Sequence, residues 1–213
     1  CFIINFLKGF SLSHISRYSL GAISASTAPI FAENTTTNPI NIPDMEMGSD
    51  DAPITIIEYA SFTCPHCASF HKNVFPSLRK NYIETGKVKF IYREVYFDGP
   101  GLWAALLARC GGAKKYFGIS DLLYSKQREW TKGDGGAAIA QNLYKIGRIA
   151  GLDQSKMEVC LQDKDVATAM VARFQETTKA DNVSSTPSLI LNGKNIGNMS
   201  YTELAALIEE AMP

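Results

Sequence analysis

The run Ser61-Phe62-Thr63-Cys64-Pro65-His66-Cys67-Ala68-Ser69-Phe70-His71 sets two cysteines three positions apart, with a proline and a histidine between them. A structural zinc site needs four ligands, normally with a second close pair of Cys or His. Here only His71 stands nearby, while Cys110 and Cys160 are isolated in the sequence. Covalent haem attachment needs histidine directly after the second cysteine, a place that Ala68 holds. Inert cysteines belong in apolar surroundings, whereas Cys64 lies at a strand-to-helix junction close to polar His66. The spacing fits a redox pair best.

In a C-x-x-C that opens a helix, the first sulfur lies where unpaired backbone N–H groups point and where the helix dipole adds partial positive charge. Both favour thiolate over thiol. Pro65 suits the first helical position, because its missing N–H costs nothing there, and His66 can stabilise the Cys64 anion by donation or charge. Thiols in such surroundings fall from about 8.5 into a range of about 3.5 to 7.5. A fall to about 5 favours the reduced form by about 2.7 kcal/mol at pH 7. For a two-electron couple that is on the order of 60 mV towards a stronger oxidant. Cys64 is therefore expected to be the exposed sulfur that meets a partner protein, and Cys67 the less accessible resolving sulfur.

Working outward, Ile54-Thr55-Ile56-Ile57-Glu58-Tyr59 reads as a largely buried strand. From Cys64 the pattern is helical, with Cys67, Phe70, Val74, Leu78 and Tyr82 recurring at three and four, Pro76 kinking the run and Gly86 closing it. A second strand follows over 87–95, and two strands joined by a helix make a parallel βαβ unit. Between Asp98-Gly99-Pro100-Gly101 and Val183 only helical stripes appear: Ile139, Leu143, Ile146 and Ala150; Met157, Cys160 and Leu161; Val166, Met170 and Phe174. Strand chemistry returns in Ser188-Leu189-Ile190-Leu191, Asn192-Gly193 predicts a type I′ hairpin turn, Lys194-Asn195-Ile196 pairs back, and an amphipathic helix runs from Tyr201 to Met212. The order βαβ, helical insert, ββα predicts an α/β fold with a mixed sheet.

The chain's 213 residues suffice for a substantial core. Lys plus Arg balances Asp plus Glu at 21 each without a basic block, so nucleic acid is excluded as a partner. No run approaches the roughly 18 apolar residues of a membrane helix. The first 32 residues carry Lys8, His14 and Arg17, then the weakly apolar SLGAISASTAPIFA, and resemble a secretory leader cut after Ala32. Residues 33–51 read as a polar linker with room for a first edge strand. Of the five cysteines, four remain if Cys1 leaves with the leader, and four permit three pairings.

Two further features fit redox chemistry. Glu58 interrupts an apolar strand six residues before Cys64, and a buried carboxyl of raised pKa is suited to exchange protons. It is expected to accept the proton of Cys67. Thr186-Pro187 opens the third strand, where a proline is tolerated and backbone beside the disulfide can pair with an extended substrate. His71 reads as a surface residue of the helix, and Trp103 and Trp130 as core or interface aromatics without chemistry.

Together Cys64-Pro65-His66-Cys67, Glu58, Val183-Ser184-Ser185-Thr186-Pro187 and the helical insert resemble the bacterial DsbA family of thiol:disulfide interchange proteins, from about Ala52 to the C-terminus. The resemblance implies a thioredoxin fold, with 52–98 and 183–213 as the thioredoxin-like domain and 99–182 as a helical insertion. It implies a cis proline at Pro187, a periplasmic location, exported proteins as substrates, a DsbB-like membrane reoxidase, and no bound cofactor or metal. A low thiol pKa and an oxidising couple are known beforehand for this family. One departure is Thr186: the best-known oxidases of the family carry valine there, and threonine is familiar from isomerase and reductase relatives. Those relatives carry a separate dimerisation domain for which this chain leaves no room, so a monomeric oxidase is expected, with isomerase or reductase as the alternative. A more distant alternative is a thioredoxin-like metal-binding module using Cys64, Cys67 and His71. Cys110 and Cys160, on different helices of the insert, leave two readings open. One is a non-catalytic bridge that stiffens the insert and shifts the active-site poise, at a stabilisation on the order of 3 to 4 kcal/mol. The other is two reduced core cysteines.

Overall fold

The computed structural model describes residues 40–213. The leader reading over 1–32, and the part of the linker before residue 40, lie outside the described residues. The elements are β1 (Met45–Met47), β2 (Ile54–Ala60), α1 (Pro65–Asn73), α2 (Phe75–Leu78), a single wide turn with π-helical bonding (Arg79–Ile83), β3 (Val88–Glu94), α3 (Gly99–Cys110), α4 (Ala113–Ser125), α5 (Gln127–Trp130), α6 (Gly136–Ile149), α7 (Gln154–Gln162), α8 (Lys164–Ala180), β4 (Ser188–Leu191), β5 (Lys194–Gly197) and α9 (Tyr201–Ala211). This is the thioredoxin-type arrangement of strands, with helices α3 to α8 between its two halves.

The five strands form one sheet in the order β1-β3-β2-β4-β5. Only β2 and β3 are parallel, and β1, β4 and β5 join antiparallel. A parallel pair needs a long crossover, which α1, α2 and the wide turn supply. The central β2 carries Ile54, Ile56 and Tyr59 fully buried, because a strand with neighbours on both sides and helices over its faces excludes water from both. Between β4 and β5 the Asn192-Gly193 turn takes positive φ at both residues, 46° and 83°, as a type I′ hairpin requires.

The helix opened by Cys64 breaks at Val74, two residues ahead of the proline expected to kink it. Pro76 has no N–H to give to the carbonyl four residues earlier, so α1 ends and the chain restarts with the proline in the first turn of α2. The expected stripes are present with different depths. Leu143, Ile146, Met157 and Met170 are buried, while Ile139, Val166 and Phe174 pack partly covered against the core. Trp130 is buried and its indole N–H donates to the Leu123 carbonyl at 2.8 Å, so it is a core aromatic. Asp98 caps α3 by accepting from the Gly101 N–H at 2.7 Å. A Cβ on Gly101 would approach Ser61 Oγ to 3.3 Å and Thr63 Oγ1 to 3.4 Å, so the insert begins in close contact with the loop that carries Cys64. Among the described residues no helix is long and apolar enough to cross a membrane.

Candidate active site

Cys64 closes the loop after β2 as the N-cap of α1, with extended backbone (φ −78°, ψ 119°), and its sulfur accepts from the Cys67 N–H at 3.4 Å. A thiolate here does what a capping Ser or Asp oxygen does elsewhere: it satisfies a backbone donor that the first turn leaves unpaired. Pro65 is the first helical residue and is exposed. Cys64 and Cys67 are unbridged. Cys64 is 8 % exposed and Cys67 fully buried, so the first sulfur is the more accessible of the two, though less open than the sequence suggested.

The two sulfurs differ in acidity. The Cys64 thiol is lowered to about 5, chiefly by the hydrogen bond from the Cys67 side chain, opposed by burial and then assisted by Thr186 and by the backbone N–H groups of Cys67 and His66. Cys67 is pushed far up, first by burial, then by giving its proton towards Cys64, then by the charge of Glu58. The imidazole of His66 was expected to steady the anion. It is exposed, and the contribution of this residue comes through its backbone N–H, because the helix start aims amides and not side chains at the sulfur.

Thr186 and Pro187 arrive from a distant part of the chain. The pairing of β4 with β2 sets them beside Cys64, whose thiol donates to the Thr186 carbonyl at 3.5 Å across 122 positions. The Thr186-Pro187 peptide bond is cis. Thr186 also lowers both cysteines by side-chain hydrogen bonding.

Glu58 lies fully buried in β2, opposite Tyr92 of β3 and Leu189 of β4. Its carboxylate meets His71 Nε2 at 2.9 Å. This corrects the reading of His71 as a surface residue: its side chain is only 3 % exposed. Helical phase is the reason, since His71 follows Cys67 by four positions and so shares the core-facing stripe of α1. The Tyr124 ring stacks on the imidazole at 4.1 Å between centroids, and Phe75 lies at 4.7 Å. Among the described residues no group of three or more His, Cys, Asp or Glu side chains is arranged to hold a metal ion.

Gln127, at the start of α5, was not singled out from sequence. Its buried amide donates to the Phe62 carbonyl at 2.8 Å and the Cys64 carbonyl at 2.9 Å, which pins the loop leading into α1. No local pattern marks it, because the contact spans more than sixty positions. Cys110, at the end of α3, and Cys160, in α7, are joined with Cα atoms 5.8 Å apart, which selects the bridge over two reduced thiols.

Alkylation reads this acidity directly. With a folded value near 5 and an unfolded thiol near 8.5, the thiolate stabilises the reduced fold above the upper value and that gain is lost as pH falls through the lower one. Iodoacetamide labelling of Cys64 is expected to be half-maximal near pH 5, with Cys67 unlabelled in the folded protein. A half-maximum near 8.5 would show that the helix start does not hold the anion.

Residues 41–210 match the family model described as Thioredoxin. A candidate protein-disulfide oxidoreductase of Rickettsia bellii is 32% identical over 170 residues, covering 79% of this chain and 64% of that protein, so the chain spans under two thirds of that relative's length. Disulfide bond formation protein D of Bacillus subtilis is 29% identical over 177 residues, covering 78% of this chain and 76% of that one. The crystal structure of Wolbachia pipientis alpha-DsbA1 superposes with a TM-score of 0.72 at 27% identity, covering 81% of this chain and 92% of that one. With a C-x-x-C at the start of the helix after the central strand, a helical insertion between the two halves of the sheet, and a family match over most of its length, this chain belongs to the thioredoxin family and is DsbA-like in its fold.

Proposed function

We propose that the chain is a thiol:disulfide oxidoreductase that acts as an oxidase, donating the Cys64–Cys67 disulfide to reduced proteins exported to the periplasm. The observation that carries this reading is the asymmetry of the two sulfurs, with Cys64 lowered to about 5 and Cys67 raised by burial. A pair whose reduced form is steadied as one anion and one buried thiol loses that gain on forming the S–S bond, so it passes the bond on. A substrate thiolate attacks Cys64, Cys67 leaves, and a mixed disulfide forms. The second substrate thiolate then attacks its neighbour sulfur and releases Cys64 as thiolate. Glu58, buried beside the pair, takes and returns the Cys67 proton. The Thr186-Pro187 backbone, which already accepts from Cys64, pairs with the extended substrate. A DsbB-like membrane protein reoxidises the pair, and the chain works as a monomer without a bound cofactor.

Isomerase or reductase activity is the second reading, favoured by the residue type at Thr186, whose carbonyl accepts from Cys64 and where threonine is the residue familiar from isomerase and reductase relatives. A redox titration in glutathione buffers separates the two. The expected couple is more oxidising than about −180 mV, and one near the roughly −270 mV of thioredoxin would overturn the oxidase reading.

A further inference from the structure

His71 is a buried titratable side chain to which the mechanism above assigns nothing. Its Nε2 is committed to Glu58, and its Nδ1 is buried without a hydrogen-bond partner among the described residues. An unpaired buried polar atom costs about 1 to 3 kcal/mol, so its survival asks for a use. His71 is also among the residues lining a groove of about 950 Å³ between α1–α2 and α4–α5, which Pro65, next to Cys64 in the chain, borders as well. His71 thus pairs with the buried carboxylate and is also one of the residues that border the groove.

We infer that His71 is the positioning residue through which Glu58 exchanges protons with the groove, so that buried Cys67 gains and loses its proton as the disulfide opens and closes. This rests on the thiol–disulfide exchange proposed above. Exchange demands such a route because Cys67 is fully buried and cannot remain an anion. When a substrate thiolate attacks Cys64, the Cys64–Cys67 bond breaks and its electron pair goes to Cys67. Cys67 takes one proton from the Glu58–His71 pair, which is refilled from the groove at His71. The second substrate thiolate then displaces Cys64 as thiolate. The substrate dithiol loses two electrons and two protons, the enzyme pair gains two electrons and one proton, and one proton leaves to solvent. Reoxidation runs the same proton outward.

The groups facing His71 fit a relay. From β2 comes Glu58, from β3 the Tyr92 ring, and from α4 the stacked Tyr124 ring and Asp121, while Cys67 stands one turn earlier on its own helix. Asp121 lines the groove, feels the charge of His71, and is approached by Arg79 at 3.8 Å. Phe70 and Phe75 also pack against the ring.

A conduit alters barriers and leaves end states alone, and this separates it from a structural role. His71→Gln keeps a donor towards Glu58 and removes the titrating ring. At pH 7, single-turnover opening by a dithiol peptide and closing by oxidised glutathione are both expected to slow on the order of a hundredfold, the low end for a positioned proton-transfer group. Their ratio, and the Cys64 thiolate titration followed by ultraviolet absorbance, stay at the wild-type values. His71→Ala is the second variant: imidazole entering from the groove is expected to restore both rates together. Wild-type rates in His71→Gln would overturn the inference, as would a shifted ratio or thiolate titration, or failure of imidazole to restore a folded His71→Ala protein. The oxidase reading fails separately, through the wild-type equilibrium with glutathione.

Discussion

Replacing Cys67 by alanine is expected to leave the protein covalently caught on its substrates, while Cys64→Ala abolishes exchange altogether. Cys64 is the sulfur with both access and a thiolate, and Cys67 is sealed from solvent. Without Cys67, the Cys64 thiolate attacks a client disulfide, expels one client sulfur as thiolate and forms a mixed disulfide that no internal thiol resolves, so the adduct persists until another thiol arrives. Non-reducing electrophoresis after mixing with a disulfide-linked or activated client reads this directly, with dithiothreitol as the control. Equal adduct formation by Cys64→Ala would assign the attacking role to the wrong sulfur. The same variant carries a second signature. The side chain of Cys67 is the largest cause of the low Cys64 value, so its removal moves the alkylation midpoint of Cys64 upward from about 5. An unmoved midpoint would mean that the backbone amides at the start of α1 suffice.

Removing the second bridge by Cys110→Ala together with Cys160→Ala is expected to cost about 4 kcal/mol of stability, because the bridge closes a loop of 50 positions between α3 and α7. Most of that cost arises in the unfolded chain, which the bridge holds compact. Urea denaturation of the unbridged variant should therefore show a lower midpoint and also a steeper slope, since a freer unfolded chain exposes more surface. A loss below about 1 kcal/mol with an unchanged slope would show that the constraint contributes little.

Much of the site was legible from local spacing. The Cys64-Pro65-His66-Cys67 run specified a helix start with a capping sulfur, and β-branched Ile54 to Ile57 specified a buried strand leading into it. Asn192-Gly193 specified the turn between β4 and β5, because few residue pairs tolerate positive φ at both positions. Even His71 left a trace, since four positions from Cys67 is one helical turn, although its polar type argued for the surface.

Neighbours a few residues apart thus set the backbone dihedrals, the helical phase and the capping of the first turn. Tertiary structure alone decided which distant groups meet. It brought Thr186 to Cys64, Gln127 to the carbonyls before α1, His71 to Glu58 and Cys110 to Cys160. Each of those meetings follows from strand order and helix packing, which are set by the burial of the whole core and leave no mark on the spacing of the residues they join.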